Sequence, residues 1–219
     1  MRGTSRAERS DSHDRERANR RQRDRYAGEA ATYDLAADRS ERWFLGTDHR
    51  GWACSRATGR TLEVAIGTGL NLPFYPSAVR LIGVDLTREM LAQARRRSLD
   101  IGVATALAEG DAQALPFADA TFDTVVCTYA MCSVPDERAA VLEMRRVLLP
   151  GGRLILVDHI RSSVPPLFWL QRLLELMPSR DRDELTRRPR AHVEAVGFTI
   201  VESDRLRAGI VERLVARKP

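Results

Sequence analysis

LEVAIGTG (62–69) is the stretch whose reading decides the fold of this chain. An apolar run ends at two glycines one residue apart, and the next apolar run, VRLIGVD (79–85), ends on Asp85. A short apolar run closed by glycine reads as a buried strand of a parallel sheet turning toward its next element. In an open α/β sheet a ligand sits at the carboxyl ends of the strands, where Gly67 and Gly69 permit positive φ and close approach. Asp85 falls at the matching end of the second strand, where a carboxylate can accept two ribose hydroxyls. A third, weaker run, VATALAEGD (103–111), leads into Ala112 and sets Asp111 where an adenine amino group can be addressed. Any one of these features reads as a tight turn with a surface carboxylate. Three at successive strand ends read as a site.

Outward from this stretch, strand and helix alternate. Thr87 is a fitting N-cap for REMLAQARRR (88–97). FDTVVCTYA (122–130) reads as a fourth strand, followed by a helix from Ser133-Val-Pro-Asp136 to about Leu149. LILVDHI (154–160) is a fifth strand, and AHVEAVG (191–197) a helix closed by glycine. FTIVESDRL and GIVERLVAR flank Arg207-Ala208-Gly209 with no room for a crossover helix, so they read as an antiparallel pair. Five β/α units and a terminal hairpin predict an α/β, Rossmann-like doubly wound sheet with an antiparallel edge. Residues 26–59 have broken helical spacing through Leu35, Trp43, Phe44 and Trp52.

The ligand is narrowed by what is missing. A dinucleotide fingerprint needs a third glycine where Leu72 stands, and a phosphate-binding P-loop needs a lysine, of which none precedes Lys218. A ligand with ribose and adenine but no phosphate fits, and S-adenosylmethionine is the leading candidate. LEVAIGTGLNLPFYP, GVDLTREML, EGDAQALPFADATFDTVVCTYAMCSV and RRVLLPGGRLILVDHIR together resemble the successive motifs of class I S-adenosylmethionine-dependent methyltransferases of the methyltransferase type 11 kind. Within that class the chain is most similar to the phosphatidylethanolamine N-methyltransferase and methyltransferase-like thiol methyltransferase subgroup. The resemblance implies a methyltransferase domain over residues 26–219. It assigns Glu63, Gly67 and Gly69 to the methionine moiety, Asp85 to ribose and Asp111 to adenine, with Leu86 and Ala112 flanking the ring. It also implies that Cys127 lines the pocket near the sulfonium and that Tyr33 covers the donor. Ala65 stands where the family has glycine.

His159, beside Asp158 at the end of the fifth strand, is the candidate base for an acceptor that must lose a proton. Its other reading is a histidine that only orients substrate. Cys127 and Cys132 have no Cys–His partner legible in sequence and read as pocket-wall residues. LFWLQRLLELM (167–177) reads as a core-packed helix, or alternatively as an acceptor wall or a lipid-facing surface. The expected reaction is methyl transfer to a small-molecule acceptor at N, S or O. The alternatives are phosphatidylethanolamine N-methylation at a membrane surface and a non-catalytic cofactor-binding module.

Composition sets the boundaries. Residues 1–25 carry nine arginines and five acids, so they hold a surplus of four out of the chain's net +5. The remaining residues are nearly neutral, which argues against a nucleic-acid groove. This apolar-poor, sign-interleaved stretch reads as a flexible arm. No run approaches a spanning helix, so membrane contact is expected to be weak and peripheral at most. Three cysteines without CxxC spacing fit a reduced, cytoplasmic setting and no metal site.

Overall fold

Alternate residues of a strand point to opposite faces, and here both faces of the central strands are apolar. In the computed structural model Leu154 and Leu156 of β5 (Leu148–His159) join one buried cluster, and Ile155 and Val157 join another on the opposite face. The structure describes residues 6–176 and 184–219, with side chains from residue 14 onward. Among these, seven strands form one sheet in the order β3-β2-β1-β4-β5-β7-β6. The others are β1 (Arg60–Val64), β2 (Arg80–Asp85), β3 (Thr105–Glu109), β4 (Phe122–Thr128), β6 (Thr199–Leu206) and β7 (Val211–Arg217). β1 to β5 pair in parallel, whereas β7 runs antiparallel to both β5 and β6, as the hairpin reading requires.

The register brings the working strand ends together. Val64 lies beside Val84 and Cys127, Asp85 beside Glu109, and Cys127 beside Leu156. Strand order reverses between β1 and β4, and a crevice opens at such a switch point. α5 (Glu137–Val147) covers one face with Ala140, Val141, Met144 and Val147, all buried at i, i+1, i+4 and i+7. Its N-cap is Asp136, whose carboxylate accepts the Ala139 N–H at 2.9 Å. α4 (Arg88–Asp100) buries Met90, Ala94 and Ser98. α7 (Pro189–Ala195) precedes Gly197, whose φ of +88° ends it.

Not every strand has its helix. β1 is followed by a 3-10 turn, Leu72–Phe74, and no helix lies between β3 and β4. Pro73 and Pro76 break the first connection, and Pro116 lies in the second. The expectation of five complete β/α units is corrected to that extent.

Before the sheet come α1 (Arg6–Glu29), α2 (Tyr33–Ser40), a π turn (Glu41–Leu45) and α3 (His49–Cys54). The junction expected between residues 25 and 26 falls inside α1. Where composition predicts a flexible arm, the structure has a helix docked by side-chain amides. Buried Asn19 donates to Asp111 at 2.7 Å and accepts from Gln113 Nε2 at 3.0 Å, while Gln22 donates to the Ser133 carbonyl at 2.7 Å. Polar anchoring leaves no trace in a hydrophobicity pattern.

α6 (Pro165–Leu176) departs from the core-packed reading. Its one buried residue is Gln171, which accepts the Ser162 N–H at 2.8 Å and donates to the Ile160 and Leu185 carbonyls. Trp169, Leu170, Leu173 and Leu176 are exposed, and Met177 lies outside the described residues. No described helix is long and apolar enough to cross a membrane.

Candidate active site

A cleft of about 730 Å³, its open mouth included, lies over the ends of β1, β2 and β4. Gly67, Asp85, Leu86, Asp111, Ala112 and Tyr33 line it, so six of the residues expected at the donor site do meet there. The turn after β1 is shaped by three positive φ values, +55° at Ala65, +56° at Gly67 and +81° at Gly69. Ala65 in this region costs roughly 1–2 kcal/mol, which is the physical reason a glycine suits the position. A Cβ on Gly67 would meet nothing within 4 Å, so the glycine leaves space on the cleft side. A Cβ on Gly69 would lie 2.8 Å from Leu72 Cδ1 and 3.2 Å from the Ala94 backbone, so that glycine serves packing against α4.

Asp85 is held rigidly: its two carboxylate oxygens accept the Gly67 and Thr87 N–H groups, each at 2.9 Å. Burial pushes its pKa up, opposed by these backbone donors. A carboxylate has about four acceptor positions, so capacity for ribose hydroxyls remains. Asp111 accepts the Gln113 N–H at 2.8 Å and Asn19 Nδ2 at 2.7 Å, which aims it from two sides. Two fixed carboxylates, Asp85 and Asp111, and a turn without side-chain bulk on one cleft form a lining that S-adenosylmethionine would fit.

Three assignments change. Cys127 sits inside β4, buried in the core cluster beside Val64 and Leu156, and the cleft wall at that strand end is Thr128, Tyr129 and Ala130. A strand residue one step from the edge points to the face, not the crevice. Glu63 lies beneath the floor, 2% exposed, accepting Asn71 Nδ2 at 2.8 Å and Tyr75 Oη at 2.9 Å. Burial pushes its pKa to about 7, with those two donors pulling the other way. Gly69 packs as described and does not line the cleft.

The network below the floor continues to a residue that sequence reading missed. Arg50 donates to Glu41 at 2.6 and 2.8 Å, to Asn71 Oδ1 at 3.0 Å and to Thr128 Oγ1 at 3.4 Å. Its guanidinium lies 5.2 Å from the centre of the Tyr129 ring. Burying so charged a pair is sustained by this full set of partners. Asn19, Gln22, Tyr26, Gln113 and Tyr129 were likewise missed. Only the Tyr129 position, just past a strand end, carried any local signal.

A second cleft of about 800 Å³, mouth included, shares Tyr26, Tyr33 and Tyr129 with the first. His159 and Cys132 lie on its wall, as does Arg50. His159 Nδ1 is 3.1 Å from Asp158 Oδ1, and Asp158 Oδ2 accepts the Met131 N–H at 2.7 Å. With Nδ1–H donating to the carboxylate, Nε2 carries the lone pair. The ligating atoms of Cys132, Asp158 and His159 lie within 4.8 Å of one another. The Cys–His proximity absent from the sequence pattern is thus made by the β4 and β5 ends meeting in space.

Residues 62–156 match the family described as "Methyltransferase domain". The chain is 41% identical over 118 residues to a phosphatidylethanolamine N-methyltransferase of Cereibacter sphaeroides, covering 53% of this chain and 58% of that one. It is 36% identical over 143 residues to a demethylmenaquinone methyltransferase of Deinococcus radiodurans, covering 61% and 58%. The chain therefore spans less than two thirds of these relatives. Among solved structures, the YcgJ protein of Bacillus subtilis superimposes with a TM-score of 0.63 at 23% identity, over 77% of this chain and 95% of that one. An S-adenosylmethionine-dependent methyltransferase of Aquifex aeolicus gives 0.54 at 16% identity, over 73% and 82%. The chain is thus similar to methyltransferases over residues 62–156 and shares the fold of these solved structures, a seven-stranded sheet with a cleft at its switch point.

Proposed function

We propose that this protein transfers a methyl group from S-adenosylmethionine to a small acceptor seated in the second cleft. The observation that carries the reading is the juxtaposition of two clefts through shared Tyr26, Tyr33 and Tyr129, with the His159–Asp158 pair on the acceptor side. The bound cofactor supplies a methyl already activated by the sulfonium charge. The chain's own work is positioning and exclusion of water, worth roughly 7–11 kcal/mol in well-oriented cases. Asp85 and Asp111 fix the nucleoside, and the tyrosines wall the path between the clefts. His159 Nε2 accepts the proton that a thiol, amine or phenol acceptor loses as its lone pair forms the new bond to the methyl carbon. Asp158 holds the ring and stabilises the resulting imidazolium.

The acceptor is read as a soluble or amphipathic small molecule. A lipid headgroup is the second reading, favoured by the exposed apolar face of α6 and by relatives named for a phospholipid and a quinone. The free cysteines fit a reducing compartment. The test is calorimetric titration with S-adenosylmethionine, followed by a cofactor-release assay against thiols, amines, phenols and phosphatidylethanolamine. Turnover lowered at least tenfold by His159→Ala, with cofactor affinity unchanged, supports the scheme. Cofactor binding without turnover on any class would leave a binding module.

A further inference from the structure

We infer that the outward face of α6, together with Trp43 and Phe44, is a docking surface for a bilayer containing anionic lipid. α6 is inverted relative to a core helix. Gln171 and Glu175 face inward on hydrogen bonds, while Trp169 (68% exposed), Leu173 (60%) and Leu176 (74%) form an outward i, i+4, i+7 stripe beside Leu170. Trp43 and Phe44 in the π turn are 77% and 66% exposed.

The two apolar elements meet the same piece of backbone. The Ala208 carbonyl accepts Ser162 Oγ at 2.8 Å and Ser163 Oγ at 3.4 Å, just ahead of α6. Its neighbour Arg207 crowds Gly46, where a Cβ would lie 3.3 Å from Arg207 Nε, just after Leu45 ends the π turn. The β6–β7 turn therefore ties both patches to one side of the molecule. That side also holds the acceptor cleft, whose wall includes Glu41 and Leu45 of the π turn and His159 of β5.

Charge selects the occupant. Exposed Arg161, whose guanidinium lies 4.2 Å from the Phe168 ring centre, and exposed Arg172 flank the apolar stripe along the chain, and exposed Arg207 lies on the β6–β7 turn. Glu175, the acid on α6, is half-buried against Arg172 and Thr186. A two-fold interface with a second copy would bring these arginines toward one another. An anionic headgroup layer meets them with opposite charge, and tryptophan suits the boundary between headgroup and chain. The inference rests on the second cleft being the acceptor site. It deepens that reading by placing the cleft at a membrane surface, where amphipathic acceptors partition.

The test uses the full chain with vesicles of phosphatidylcholine alone and of phosphatidylcholine mixed with phosphatidylglycerol, at physiological salt. The chain should sediment with the mixed vesicles only. Trp169→Ser combined with Leu173→Ser should lower the bound fraction roughly tenfold or more, given the apolar area removed. Arg161→Glu combined with Arg207→Glu should do the same by charge. Cofactor affinity of both variants, measured by calorimetry, should stay that of the parent and so report intact folding. No sedimentation with either vesicle overturns the inference, as does equal binding to both. A dimer in sedimentation equilibrium that Trp169→Ser and Leu173→Ser dissolve would also overturn it, assigning the face to a second copy. Failure of the methyl-transfer reading shows separately, as absence of cofactor binding whatever the vesicle result.

Discussion

The cleft proposed for the donor and the one proposed for the acceptor share three tyrosines but are built in opposite ways. At the donor cleft the backbone does the shaping, through positive φ at Gly67 and N–H groups that clamp Asp85. On the acceptor side the wall is made of side chains, Tyr129, Cys132 and His159 among them, and the outer helix shows its apolar face to solvent. A cofactor presents the same atoms in every turnover, so preorganised backbone suits it. An acceptor site built from side chains is altered by single substitutions without disturbing the sheet. The contrast recurs within the turn itself, where Gly67 leaves space for the ligand and Gly69 leaves space for α4.

The sharpest way to break that contrast is to add one methyl at each glycine. Gly69→Ala should destabilise the fold by roughly 2–4 kcal/mol in chemical denaturation, from backbone strain and overpacking against Ala94. Gly67→Ala should cost only about 1 kcal/mol of stability while weakening cofactor binding more strongly. Equal stability losses at the two positions would erase the distinction.

A second measurement concerns the buried acid under the donor cleft. The folded-state pKa of Glu63 is raised from 4.5 to about 7, so the native state binds more protons than the unfolded chain between those values. Stability should therefore fall as pH rises through that window, by an amount on the order of 3 kcal/mol. Glu63→Gln should flatten this slope in denaturation curves taken at a series of pH values. An unchanged slope would place the titration elsewhere.

Asp85→Ala should weaken S-adenosylmethionine binding by roughly 1.5–3 kcal/mol, the worth of a charged hydrogen-bond acceptor. Asn19→Ala should weaken it by about 1 kcal/mol, because Asn19 acts on the cofactor only through the Asp111 carboxylate that it aims. Calorimetry on both variants ranks backbone-clamped against helix-supplied recognition, and a larger loss at Asn19 would reverse the order proposed. The smallest effect is expected at Ala65→Gly. Relief of the left-handed conformation is offset by roughly 0.5–1 kcal/mol of added chain entropy, leaving the midpoint nearly unchanged or slightly raised. A clear loss of stability would mean that the Ala65 methyl packs productively.

The strands, the hairpin edge and the carboxylates at the strand ends were legible in the residues, because each is a local pattern. Apolar runs, glycines after strands and acids at strand ends are all set within about ten positions of one another. Sequence likewise narrowed the cofactor proposed, since the missing third glycine and missing lysine argue against phosphate cradles wherever the turn sits. What only the tertiary structure decided are relations between distant segments whose spacing has no period. The docking of α1 through Asn19 spans 92 positions to Asp111, and it uses amides that composition scores as solvent-loving. The descent of Cys127 into the core and of Glu63 beneath the floor turned on one residue of strand register, which flips a side chain between faces. The Cys132–His159 proximity came from two parallel strand ends side by side. The outward turn of α6 was also decided by tertiary contacts. A leucine stripe specifies that a face is apolar, but only the polar anchors around Gln171 determine that it points away from the sheet.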